Sequence, residues 1–496
     1  MSDGLAKVAM IGVDAAELSF IQRWLPSLPA FRRILETGTL HRLGSTAGVF
    51  PGSVWPTFYS GSPPGEHGVY HHLQWDPNAM QLRRVTEDWL YVEPFWYELE
   101  RRGLRVATID VPMSFPSRLT RGGEVINWGS HDELGPFGAH PGHLAAEIRR
   151  RFGRHPMGSE IPVRKSPGQL ERIRRDLVAG AMLKGELSRW MLAQADWDFF
   201  LTIFGETHRG GHILWSEDGT EGSVPENRLL DVYRAVDRSI GELLEALPAD
   251  LTTLIVFALH GMGPNASQEH FMPKVMDRVN SGFLGKDAAP DVRGGRESLA
   301  GQRSAIRILR ERLPPSLQNA VAGAMPVTIR DLVVNRQISS GHDWRRTPGI
   351  ALLADLNGYL RWNLRGRESR GMLEPGREGL ERYSEWVRQC LIGLRVPGPD
   401  LPLVRDVLLT RDHFPGRRMG LLPDAVVTWT GLPPASRVYS DGSGPLSAEP
   451  GTGRAGNHRS DGFCVIVESD RGRAQRIPPP RHISELGRFV CALLRE

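Results

Sequence analysis

Short uninterrupted apolar runs, each closed by a polar residue, set the rhythm of this chain. Val8 to Val13 is the first, and it ends in Asp14. Such a run reads as a strand buried on both faces, because a strand with one wet face would alternate. A helix-like stretch follows through Leu35. Glu93 to Arg102 then sets Phe95, Trp96 and Leu99 on one side of a helix, Gly103 stops it, and Leu104 to Ile109 is the next strand. The unit recurs further on. Asp198 to Phe204 reads as a strand, Asn227 to Leu247 as an amphipathic helix, and Thr252 to Leu259 as another strand. This alternation predicts an α/β fold, with a mostly parallel central sheet and helices on both faces. In such sheets, sites form at the carboxyl ends of the strands.

Gly285 to Pro326 breaks the rhythm with Gly, Arg and Pro, relieved by a short helical piece from Ile306 to Leu313. We read 285–330 as an inserted cap within a single domain spanning 1–496. Strand character resumes from Leu360 to Leu364, and the sequence RGRESRG follows as a turn. Ala425 to Trp429 and Phe463 to Val467 are further strands, and His482 to Arg495 is a closing helix. The sequence has no internal repeat.

Metal-capable residues stand where these strands end. Asp14 closes the first. Glu206 and His208 follow the 198–204 run, and His212 comes one helical turn after His208. His260 follows the 252–259 run, and His458 precedes the Phe463 strand. A parallel sheet would gather all of them at one edge, and a set of imidazoles with a carboxylate there points to a metal. Zinc suits the donors best, with manganese or iron as alternatives. Each residue also has a blander role. Asp14 could cap a helix, His208 and His212 could be a solvated pair, and His260 could belong to a turn. Such residues at the ends of four separate strands make the joint reading the stronger one. A second element, PGSVWPTFYSGSPPGEHG from Pro51 to Gly68, sets the hydroxyls of Ser53 and Thr57 before a helix. A hydroxyl there, ionised by a metal, is a good nucleophile. Ser53 could otherwise be a plain N-cap. The nearby Trp55, Phe58 and Tyr59 could stack on a substrate or simply pack.

Composition narrows the class. The chain has 496 residues, of which 40% are hydrophobic and 24% charged, so a large core is available. Its 61 basic and 57 acidic residues leave a formal charge of only +4. That surplus gives no case for nucleic acid. Three widely spaced cysteines, Cys390, Cys464 and Cys491, make neither a disulfide framework nor a zinc knuckle. The N-terminal residues do not read as a signal peptide, and no apolar run is long enough for a membrane span. A cytoplasmic protein is the expectation. Oligomeric state is left open.

The ordered motifs resemble the alkaline-phosphatase superfamily, in particular its type I phosphodiesterase/nucleotide pyrophosphatase branch. The resemblance rests on IGVD ending at Asp14, SGSPPGEHG from Ser60 to Gly68, His208-Arg-Gly-Gly-His212, Leu259-His260-Gly261-Met262 and Gly456-Asn457-His458. NGYLRWNLRGRESRG, from Asn357 to Gly371, is similar to a further family segment. The resemblance implies one metal on His208, His212 and His458. It implies a second on Asp14, His260 and the nucleophile oxygen. The implied reaction is attack on phosphorus, a phosphoserine intermediate and its hydrolysis, on a small phosphorylated substrate. Two departures bear on this. Where the family has aspartates, this chain has His208 and Leu259. Two ions would then face Asp14 as the only family carboxylate, which makes Glu206 a further candidate ligand and a single three-histidine zinc an alternative. Ser53 is preferred over Thr57 as nucleophile, because Gly52 beside it permits close backbone approach. A degenerate relative that only binds a phosphorylated ligand is the competing reading. A sulfatase-like enzyme is disfavoured, since Ser53 is not followed by that family's Pro and Arg pattern.

Overall fold

The apolar run Val8–Val13 forms a strand with all six residues buried, and Phe199–Phe204 and Thr253–Ala258 do the same. The computed structural model describes residues 7–90, 92–116, 119–158, 165–215, 227–248, 250–285, 327–398, 400–440, 443–450, 453–468 and 477–495. Most of the expected cap, 286–326, lies outside the described residues.

In chain order, the elements that position the site are β1 (Val8–Val13), β2 (Thr39–Gly44), α1 (Val54–Ser60), β3 (Val106–Ile109), β4 (Gly123–Ile126), β5 (Gly138–His140), α2 (Pro167–Leu192), β6 (Phe199–Phe204), α3 (Glu206–Leu214), α4 (Arg228–Ala246), β7 (Thr253–Ala258), β8 (Gly261–Pro264), β9 (Gly456–Arg459) and β10 (Asp461–Glu468). Eight of the strands form one sheet in the order β2-β10-β7-β1-β6-β3-β4-β5. The pairs β1/β6, β1/β7, β3/β6 and β3/β4 are parallel. Only β5 and β10 run against the rest. The α/β sheet expected from the apolar runs is therefore the one observed.

Alternate residues of β1 enter different apolar clusters, as the two-residue period of a strand requires. Ala9, Ile11 and Val13 face a cluster built with α2 and α4, including Leu177, Leu187, Val236 and Ile240. Val8 and Met10 face another, built with α1 and the closing helix Leu486–Leu493. Both faces of the central strands are thus covered. That is why these strands read as continuous apolar runs.

Several elements were not legible. The strands β2, β4 and β5 and the 26-residue helix α2 have no counterpart in the sequence reading. β2 is mostly exposed and lies at a sheet edge, so it carries no apolar run. The start of α2 did carry a signal. Ser166 and Gln169 form a capping box, with Pro167 at the first helical position. Away from the central sheet, Gly349–Ala351, Gly358–Trp362, Ala425–Trp429 and Val404–Leu409 form a second, four-stranded sheet. The RGRESRG stretch leads away from it, and its charges lock the region. Arg361 Nε bonds Glu368 Oε1 at 2.7 Å, and Arg367 bonds Asp424 at 2.6 Å.

Candidate metal centre

The parallel strands carry their polar termini to one edge. Asp14 follows β1, His208 and His212 lie on α3 just after β6, and His260 follows β7. His458 arrives by another route. Because β10 runs antiparallel to β7, its N-terminal end lies at this same edge. His458 lies just before it on β9, which pairs with β8 beyond His260, opposing His458 to Met262. His208 and His458 each lie with ring centroids 4.7–5.8 Å from each other and from those of His212 and His260. All four are buried, as is Asp14.

Two of the blander roles are not the ones observed. Asp14 caps no helix, since Glu17 caps the helix that follows. His208 and His212 are buried rather than solvated. Asp14 takes His208 instead, with Nδ1 2.9 Å from Oδ2. Burial opposes ionisation of Asp14, but the imidazoles of His208 and His131 outweigh it and hold its pKa down to about 2.

The ring nitrogens suggest what the cluster is for. His212 Nδ1 lies 3.0 Å from the Gly456 carbonyl oxygen, which can only accept. Nδ1 therefore carries the hydrogen, and Nε2 a lone pair. The same reasoning at Asp14 leaves a lone pair on His208 Nε2. The two Nε2 atoms stand 3.1 Å apart. Burial drives the pKa of His212 well below that of an ordinary histidine, so its own Nε2 keeps a lone pair at neutral pH. Two nitrogens on one tetrahedral zinc ion would stand about 3.3 Å apart. His260 is arranged alike, with Nδ1 3.1 Å from the Gly261 carbonyl oxygen and Nε2 3.6 Å from Asp14 Oδ1. Asp14 Oδ1 and His458 Nδ1 are buried without a hydrogen-bond partner. Buried polar atoms left without a partner are costly unless a cation lies among them. The donors therefore fit a metal. Two groups among the described residues have ligand atoms within 4.8 Å of one another: His208 with His260 and His458, and Asp14 with His131 and His208.

Two expectations need adjustment. Glu206, a candidate ligand, belongs to neither group, and its Oε1 is held by His155 Nε2 at 2.9 Å. Its helix starts at the sheet edge, but the side chain turns toward α2 and not toward Asp14. Second, the sequence reading omitted His131. It lies five residues past β4, a strand too short to stand out, in the stretch Ser130-His131-Asp132. Its ring lies 3.7 Å from that of His208, centroid to centroid.

The loop bearing His131 is held by a buried charge pair. Asp110, just after β3, accepts the amides of Trp128 at 2.7 Å and Gly129 at 2.6 Å. Lys184 of α2 closes onto the same carboxylate. Arg209 of α3 bonds the Ser130 carbonyl at 2.6 Å. Lys184→Met is expected to lower stability by about 3–5 kcal/mol, because it strands a buried carboxylate. Urea unfolding checks this. A loss below about 1 kcal/mol would mean that the two amides satisfy Asp110 alone.

Ser53 stands at the N-cap position of α1 but makes no capping hydrogen bond. Its Oγ lies 2.7 Å from both Thr46 Oγ1 and the Phe50 carbonyl oxygen, fully buried. Thr57 is engaged elsewhere, 3.1 Å from His67 Nε2. Burial pushes the pKa of that histidine down to about 3. Trp55, Phe58 and Tyr59 all pack in the apolar cluster, which decides between stacking and packing in favour of packing. Leu259 lies in the same cluster, with Phe257 and Cys464.

A model of the type I phosphodiesterase/nucleotide pyrophosphatase family matches residues 8–356, well over half the chain. The chain belongs to this family. It is thereby a member of the alkaline-phosphatase superfamily, in a family of phosphodiester hydrolases, and its paired His/Asp clusters suggest the two-metal site typical of that family. The sequence has no match among curated proteins. Among solved structures it resembles phosphonoacetate hydrolase from Sinorhizobium meliloti 1021 in complex with phosphonoformate. That likeness has a TM-score of 0.53 and 13% identity over 98% of this chain and 95% of that one, and it bears on the fold alone. Murine ectonucleotide pyrophosphatase/phosphodiesterase 5 also matches, with a TM-score of 0.47 and 12% identity over 99% of this chain and 95% of that one. Among the described residues, no helix is long and apolar enough to cross a membrane.

Proposed function

We propose that this protein is a metal-dependent hydrolase of small phosphate esters or diesters, with Ser53 as its nucleophile. The observation that carries the reading is the buried set of Asp14, His208, His212, His260 and His458, with the Nε2 atoms of His208 and His212 3.1 Å apart and Asp14 Oδ1 and His458 Nδ1 buried without a partner. Zinc is the ion these donors favour. A bound ion would draw charge from the phosphoryl oxygens and favour ionisation of a hydroxyl beside it.

The chain's own residues do the rest. Asp14 orients His208 through its Nδ1, as a carboxylate commonly does for a metal-bound histidine. The Gly456 carbonyl fixes His212 in the same manner. Ser53 gives up its bond to the Phe50 carbonyl and forms a bond to phosphorus as the ester oxygen departs, and the hydroxyl proton passes to that departing oxygen. Water then cleaves the phosphoserine and restores the hydroxyl.

The test is turnover of an aryl phosphomonoester and an aryl phosphodiester by purified protein. Activity is expected to vanish on chelation and to return with added zinc or manganese, alongside one or two bound ions by elemental analysis. Metal-loaded protein that binds phosphate but turns over neither ester would support the binding-only relative. The packing of Leu259 in the apolar cluster favours that second reading, because the strand end offers no carboxylate there.

A further inference from the structure

We infer that His131 is a metal ligand of this centre, which shares a second ion with Asp14 and makes good the carboxylate that Leu259 does not provide. The inference deepens the metal-centre reading above and rests on it. The family resemblance assigns no role to this histidine.

The first argument is position. His131 Nδ1 lies 3.2 Å from Asp14 Oδ2, yet it makes no hydrogen bond there or anywhere else. A nitrogen so close to a carboxylate oxygen without hydrogen-bond geometry is not held by a proton. The separation instead suits two donors on one ion, which stand about 3.3 Å apart around a tetrahedral zinc. The other ring nitrogen, Nε2, faces Asp132 Oδ2 at 3.9 Å. A carboxylate on that side favours the tautomer with hydrogen on Nε2, leaving the lone pair on Nδ1 toward Asp14.

The second argument is replacement. Leu259 lies in the apolar cluster with Val54, Trp55 and Phe257, so that strand end contributes packing and no ligand. With Glu206 taken by His155, Asp14 is the only carboxylate in the two candidate groups. His131 comes from β4, on the far side of β3 and β6 from β1, and fills the donor set from that side.

The third argument is rigidity. A ligand must be held in place before the ion arrives. The 127–131 loop is clasped at Trp128 and Gly129 by Asp110, and at Ser130 by Arg209. A loop that served only to cover the sheet edge would have no need of three buried charged groups.

The test uses His131→Phe, which keeps a ring stacked on His208 and removes the nitrogens. Wild-type and variant chains are equilibrated at the same free zinc, and bound metal is counted by elemental analysis. Two ions are expected in the wild type and one in the variant. The visible absorption of cobalt-substituted protein is expected to fall correspondingly. If His131→Phe does not fold by circular dichroism, His131→Gln takes its place with the same expectation. Equal metal content and equal cobalt spectra in wild type and a folded variant would overturn the assignment, and so would a single ion in the wild type. A wild type with no metal at all would instead remove the metal-centre reading beneath it.

Discussion

His212→Ala is expected to reduce kcat/KM for a phosphoester by at least about 10³-fold, the scale on which a lost transition-state-stabilising group acts. Two features of the residue make the effect large. Its Nε2 stands 3.1 Å from that of His208, so an ion held by the two loses one of its donors. Its Nδ1 is fixed by the Gly456 carbonyl, so the ring is held with Nε2 toward His208. The structural cost is smaller. One buried carbonyl loses its partner, which is worth about 1–3 kcal/mol. The measurement pairs turnover with metal content at matched free zinc. The variant should be folded, short of one ion and inactive. Activity within tenfold of wild type would show that His212 serves only to join α3 to the β9 strand.

Ser53→Ala is expected to be at least as damaging, with a loss of about 10⁴-fold or more, as when a serine nucleophile is removed elsewhere. Metal content should be largely retained, because the imidazoles and Asp14 remain. The comparison that gives this force is Thr57→Ala. Thr57 is buried, and its hydroxyl is spent on His67 Nε2, while the Val69 amide bonds His67 Nδ1. Losing it should cost about 1–3 kcal/mol of stability and only a few-fold in turnover. Single-turnover kinetics on the two variants, together with trapping of a phosphorylated chain, decide the matter. If Thr57→Ala were the inactive one, the nucleophile would have to be reassigned, and the family membership would stand.

The two hydroxyls illustrate how far pattern reading reaches. They lie four residues apart in the same segment, and the sequence offers little beyond Gly52 to separate them. The fold separates them by what each one touches. Ser53 bonds another hydroxyl and a main-chain carbonyl, whereas Thr57 is turned to a histidine beneath the helix. Glu206 shows the same limit. A carboxylate two residues before His208 looks like a ligand on paper, but α3 rotates it toward α2, where His155 and Lys184 lie.

What the sequence determined by itself is the central sheet and the edge at which chemistry gathers. Strands buried on both faces must be apolar throughout, so β1, β6 and β7 announce themselves, and the polar residue that ends each one marks where the chain leaves the core. Asp14 and His260 follow from that rule, and His208 and His212 lie on the helix that leaves the next strand end. Even His458 was legible, because it directly precedes a recognisable strand. Tertiary structure decided the rest. The four-residue strand β4 is too short to show a period, so His131 stood in no visible frame until the sheet set it beside Asp14. Which oxygen of Asp14 meets which imidazole, which hydroxyl is spent on a neighbour, and which carboxylate is already paired are all questions of side-chain direction. Direction depends on contacts between residues far apart in the chain, such as Asp14 with His208 and Asp110 with Lys184, and no local pattern encodes it.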